Sequence, residues 1–209
     1  MPPSNSSLLW TIGHSTRSID EFIALLEAHG IQFVADVRTV PYSRRNPQFN
    51  TGELSQHLGR VGLQYQSMKI LGGHRKTQLN STNVGWRNAS FQGYADYMES
   101  PPFWQGLETL MQLAATSPTA ILCAEAVPWR CHRWLIADAM VSRGWTVRHI
   151  LAKHQVNSHE LTSFAWVENG KLHYPRETKP PDTLRLFLPN IQQYFALAIP
   201  RQRRFGCTP

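Results

Sequence analysis

The chain is short of acidic residues, of cysteine and of long apolar runs, and each shortage narrows what it can be. Lys and Arg outnumber Asp and Glu by 21 to 14, a net charge of +7. That balance favours acidic partners, a phosphorylated small molecule or a nucleic acid. Part of the excess is Arg201, Arg203 and Arg204, which as a solvated tail would do nothing specific. Three cysteines in 209 residues, an odd number and widely spaced, make no disulfide framework and are expected to be reduced. No apolar run reaches membrane-spanning length, and the opening MPPSNSSLLW lacks the basic start and apolar core of a signal peptide. The expectation is a cytoplasmic protein with no membrane partner. A P-loop, a dinucleotide fingerprint, C-x-x-C, H-E-x-x-H and internal repeats are all missing.

What is present is concentrated between Ile121 and Arg133, ILCAEAVPWRCHR. The apolar run Ala120 to Leu122 reads as a strand, Cys123 to Pro128 as a loop, and Trp134 to Arg143 as a helix with Gly144 at its C-terminal cap. A strand end facing a helix start is where an open α/β sheet binds anions. A thiol there, beside Arg130 and Arg133, would have a lowered pKa, so Cys131 and Cys123 are candidate nucleophiles. The structural alternative is that both are small buried hydrophobes, and it is the stronger one for Cys123, at the end of an apolar strand.

Upstream, Leu8 to Ile12 is expected as a strand ending in Gly13-His14-Ser15-Thr16. Ser18 and Glu21 form a capping box, and Phe22, Leu25, Leu26 and His29 keep helical spacing up to Gly30. Ile31 to Val37 is a second strand. The resulting βαβ unit, with its right-handed crossover, implies a parallel sheet. The fold class is therefore α/β, a Rossmann-like or flavodoxin-like three-layer open sheet with helices on both faces. It also brings Thr11 to Thr16 and Asp36 to Arg38 to the edge expected to carry Cys123 and Glu125. Asp36 and Arg38 could hold a polar ligand or simply pair with each other.

Thr39 to Phe49, with Pro41, Ser43, Arg44, Arg45 and Pro47, reads as an ordered loop over the strand ends. Thr51 to Leu58 is expected as a helix and Leu63 to Tyr65 as a strand. Leu71 to Ser90 is too long for an ordinary connection and is either a binding lid around Gly72, Gly73, His74, Arg75 and Lys76 or a surface loop with Trp86 anchored in the core. Helices follow over Phe91 to Met98 and Phe103 to Ala115, with Pro101-Pro102 forcing a break. Trp145 to Leu151 is a strand containing a structural His149, and Lys153 and His154 could reach the same edge. Leu161 to Trp166 and Lys171 to Tyr174 suggest a hairpin around Asn169-Gly170. Thr178 to Asp182 reads as a linker, and Leu184 to Leu188 or Ile191 to Leu197 as a last packed element. The expected division is an α/β domain over 8–154 and an extension over 155–209 that packs on it and ends in a basic tail.

Three functions are compatible with these residues. The first is an enzyme, a hydrolase or transferase, acting on a nucleotide or nucleic acid. In it Gly13, Ser15, Thr16, Arg38, Ser43 and Arg133 hold phosphate, and His14, Asp36, Cys123, Glu125, Cys131 and His132 supply acid, base or nucleophile. Cys123 and Arg130 are separated by six residues rather than the five of a phosphatase cysteine loop, so that version does not fit. The second is a metal-dependent enzyme with Cys123, Glu125, Cys131, His132 and His14 as ligands, although the spacing matches no standard motif and no metal is assigned on it. The third is a non-catalytic nucleic-acid-binding module, whose binding must weaken steeply with salt.

Five separated motifs, TIGHST at Thr11 to Thr16, DVR with Pro-x-Ser at Asp36 to Ser43, LGG at Leu71 to Gly73, GYADYM at Gly93 to Met98 and CAE…CHR at Cys123 to Arg133, resemble in content and order the bacterial and archaeal family described as domain of unknown function 488. The resemblance runs from about Leu8 to about Leu151. It implies a single cytoplasmic α/β domain and supplies no reaction, substrate or cofactor. The matching residues are Gly13, His14, Ser15, Asp36, Arg38, Cys123, Glu125, Cys131, His132 and Arg133.

Overall fold

In the computed structural model, residues 7–168 and 170–176 are described. Strand β1 (Leu8–Gly13) leads to helix α1 (Ile19–Ala28), then β2 (Phe33–Asp36), α2 (Thr51–Arg60) and β3 (Gln64–Ser67). Helices α3 (Ala89–Met98) and α4 (Pro101–Thr116) precede β4 (Thr119–Cys123), α5 (Arg133–Ser142), β5 (Thr146–Ala152) and β6 (Gln155–Ser158). The strands form one sheet in the order β3-β2-β4-β1-β5-β6. All neighbours are parallel except β6, which turns back on β5.

Alternation along the strands splits the core in two. Ile12, Val34, Ala120, Leu122 and Ile150 meet Phe22, Leu25 and Leu26 of α1 and Leu54 and Leu58 of α2. Leu9, Phe33, Ala35, Ile121 and Val147 point the other way, onto Tyr94 and Met98 of α3, Leu107 and Leu110 of α4 and Leu135 and Ile136 of α5. A period of two on strands buried on both faces gives the three-layer α/β fold. The connections run from β1 to β2 in one direction across the sheet and from β4 to β5 in the other. The adjacent ends of β1 and β4, with Gly13 in register with Cys123, are thus a topological switch point, where such sheets open a crevice.

Local signals explain most boundaries. Ser18 and Glu21 close the capping box of α1, and Gly30 follows at φ 64°. The proline pair does separate α3 from α4, but Pro101 is itself the first residue of α4, since the first turn needs no N–H from it. Lys153 and His154 form the turn between β5 and β6 and do not line the crevice described below. Strands β7 (Trp166–Glu168) and β8 (Lys171–His173) pair as a separate hairpin. The stretches read as a linker over 178–182 and as packed elements over 184–188 and 191–197, and the arginines at 201, 203 and 204, lie outside the described residues. No described helix is long and apolar enough to cross a membrane.

Candidate functional site

The carboxyl edge opens into a cavity of about 690 Å³ between the ends of β1, β2 and β4 and the start of α5. His14, Ser15, Thr16, Arg38, Ser43, Cys123, Glu125, Cys131 and His132 of the expected set line it; Gly13, Asp36 and Arg133 do not. Those three lie behind the wall and hold it in place.

On the α1–α2 side, Asp36 is fully buried and both its oxygens are taken. Oδ1 accepts from the Arg38 backbone N–H (3.0 Å) and Nε (2.8 Å), and Oδ2 accepts from Arg38 Nη2 and the Tyr65 hydroxyl (2.7 Å). Burial works against the Arg38 charge, but the bonds and attraction to Asp36 outweigh it and raise its pKa. Nη2 also donates to Phe49 O (2.8 Å) and Nη1 to His14 Nε2 (3.2 Å). Of the five guanidinium N–H groups, one on Nη1 is without a partner among the described residues. The result is a fixed cation at the cavity wall. Tyr65, a tether that escaped the sequence reading, could have been found from its place on the strand beside β2.

His14 stacks on Phe49, and its Nδ1 donates to Ser15 O at 2.8 Å. Burial, helped by the guanidinium groups of Arg38 and Arg133 and opposed by Ser15 and Asp36, lowers its pKa to about 4. At neutral pH it is an uncharged ring with both nitrogens committed, which suits a brace for Arg38 better than a proton shuttle. Ser15 reaches His14 by adopting φ 51°; His74, at φ 57°, is the other non-glycine residue with positive φ among those described, and it too lines the cavity. Such strained positions cluster at functional sites. The Ser43 hydroxyl is occupied in its own turn, accepting from Arg45 N (3.2 Å) and Asn46 N (3.1 Å).

On the α5 side, Cys123, Cys131 and His132 converge, their sulfur and nitrogen atoms all within 4.8 Å of one another. His132 Nε2 donates to Val37 O at 3.0 Å, and Nδ1 lies 3.6 Å from Cys131 Sγ and 4.0 Å from Cys123 Sγ. Arg133 is 1% exposed; its Nε donates to Cys131 Sγ (3.4 Å) and its Nη2 to Glu125 O. It is therefore a support for the thiol and the loop, where the sequence suggested a phosphate ligand. Burial alone would raise the Cys131 pKa, but the Cys123 thiol, His132 and Arg133 bring it well below the ordinary value. Cys123 moves the opposite way, raised first by its bond to Cys131 and then by burial. The acidifying arginine is Arg133; Arg130 is exposed on the cavity wall.

Two glycines make this packing feasible. A Cβ on Gly13 would overlap the Glu125 carbonyl, and one on Gly73 would lie 3.0 Å from His132 Nδ1. Gly73 thus packs on His132 and lines the cavity beside it. Farther along the 71–90 loop, Arg75 lies over the Tyr97 ring at 3.6 Å, and Trp86 packs among Phe91, Phe164 and Tyr174. Of the five residues considered as metal ligands, three come together; His14 is engaged with Arg38, and Glu125 is exposed at the mouth.

The model of the family described as domain of unknown function DUF488 matches residues 18–140, more than half of the chain, and the chain belongs to that family. No curated protein and no solved structure matches it.

Proposed function

We propose that this member of the family is an enzyme that holds a phosphate-bearing substrate, a nucleotide or a nucleic-acid end, in the carboxyl-edge cavity and carries out hydrolysis or group transfer there. The observation that carries the reading is the pairing within one cavity of a rigid cation, Arg38, with a Cys123–Cys131–His132 cluster on the opposite wall. Pre-fixed cations favour phosphate because they need no reorganisation when charge develops. The Asp36 clamp supplies that rigidity. Glu125 and Arg130 at the mouth supply an exposed base and a second cation. Tyr42, 65% exposed on the cavity rim, offers a face for a base to stack on.

The test is turnover. Simple phosphate monoesters, nucleoside mono-, di- and triphosphates and a short 5′-phosphorylated oligonucleotide are incubated with the protein and followed by phosphorus NMR. A new phosphorus resonance, lost in Cys131→Ser and His132→Ala and reduced in Arg38→Gln, is the expected result. Binding of the oligonucleotide without turnover of any compound would replace the enzyme with a binding module.

A further inference from the structure

The arrangement around His132 carries a second step. A carbonyl oxygen can only accept, so the contact with Val37 O puts a ring proton on Nε2, and in the neutral ring Nδ1 then carries the lone pair. That lone pair faces two sulfurs, at 3.6 and 4.0 Å. It can accept a hydrogen bond from only one thiol at a time. A cation between the three atoms would engage all of them. Metal–sulfur and metal–nitrogen bonds of about 2.3 and about 2.0 Å in a tetrahedron place sulfur and nitrogen roughly 3.6 Å apart, close to the spacing already present. A ligating histidine whose other nitrogen donates to a backbone carbonyl is also the usual outer-shell device for fixing ring and tautomer. Gly73 packs against the ring and Arg133 donates to Cys131 Sγ, so both are held before any cation arrives.

We infer that Cys123, Cys131 and His132 bind one thiophilic divalent cation of the zinc class, with the fourth position opening on the cavity. Three protein ligands with an open position is the pattern of a catalytic rather than a structural site. The catalytic role rests on the function proposed above; the binding itself does not. Softness of the donors selects zinc or cobalt over magnesium or calcium.

The test uses the full chain in a Cys207→Ser background, reduced, stripped with a chelator and titrated with Co²⁺ alone. One cobalt per chain is expected, with thiolate-to-cobalt charge transfer in the near ultraviolet and tetrahedral ligand-field bands. Cys123→Ser and His132→Gln, checked for folding by circular dichroism, should each weaken binding by more than the roughly hundredfold upper range of an outer-shell change. Absence of the charge-transfer band, or an unchanged titration in either folded variant, overturns the inference. A phosphate titration on the stripped protein separates the two ideas. Phosphate binding without cobalt binding ends the cation site alone, and cobalt binding with no phosphate bound in stripped or loaded protein ends the substrate reading alone.

Discussion

Asp36 is the residue on which the proposed anion side of the site depends, because it fixes Arg38 along both edges of the guanidinium while being wholly buried. Removing one member of a buried ion pair leaves the other unpaired, so Asp36→Asn should cost about 3–5 kcal/mol of stability, read from urea denaturation. A loss below about 1 kcal/mol would mean that the pair is solvated. His14 gives a pH prediction. Its folded pKa of about 4 lies below the ordinary 6.5, so the unfolded chain takes up the proton first. Its contribution is whole above pH 6.5 and is lost as pH falls toward 4. His149, lowered to about 3 by burial and then by His159 and Arg133, acts in the same direction. The denaturation midpoint should fall between about pH 7 and about pH 5, with a shallower slope in His14→Gln; an identical slope in the variant would contradict the assignment. At this scale the sequence was informative about which residues meet and less so about what they do. Position at strand ends brought His14, Arg38 and Cys123 together, because parallel strands put their carboxyl ends on one edge, and the start of α5 brought Cys131 to them. Whether Arg133 faces ligand or protein depends on a rotamer and on the Glu125 loop, which no spacing encodes.

The helices and strands carry their own signals, and those that were local were readable. Ser18 and Glu21 announce α1, and the short apolar runs of β1, β2 and β4 suit a sheet buried on both faces. Ser18→Ala should cost about 1 kcal/mol of stability, read as a lower denaturation midpoint at unchanged slope, without changing the fold. Less legible was the stretch after Met68, where a 3-10 turn over Lys69–Leu71 and the loop beyond it are held by tertiary contacts: Tyr94 OH donates to Leu71 O (2.7 Å), Tyr97 OH to Ile70 O (2.6 Å) and Thr39 Oγ1 to Gly73 O (2.7 Å). None of these bonds has a periodicity to betray it. Gly73 belongs to this element, and Gly73→Ala should displace His132 without unfolding the sheet. The readout is nitrogen-15 NMR of the histidine rings, in which the Nε2-protonated tautomer signal of His132 should shift or vanish in the variant. An unchanged signal would mean that the loop yields instead of the ring.

At the scale of the whole molecule, a second polar network ties the segment after β6 to the α/β core. With Asp138 ionised and both rings singly protonated, Thr11 donates to His149 (2.8 Å), His149 to His159 (3.0 Å) and His159 to Asp138 (2.9 Å). Asp138 also accepts from Thr162 N and Oγ1 and from the Tyr174 hydroxyl. Every member is occupied, which is what lets a buried carboxylate persist. Asp138→Asn is expected to speed amide exchange over residues 159–174 more than in β1 and β4; uniform acceleration would show the network to be part of the global core. The net charge of +7 bears on the site only through long-range attraction and should give an anion affinity that falls with salt. The central claim, that a rigid Arg38 makes this cavity a phosphate site, is tested most directly by calorimetric titration of a nucleoside monophosphate into the wild-type protein and Arg38→Gln at one fixed ionic strength. Loss of one charge-assisted contact predicts a one-to-one complex weakened by about tenfold to a hundredfold in the variant. Equal affinity in the two proteins, or no heat in either, would contradict it.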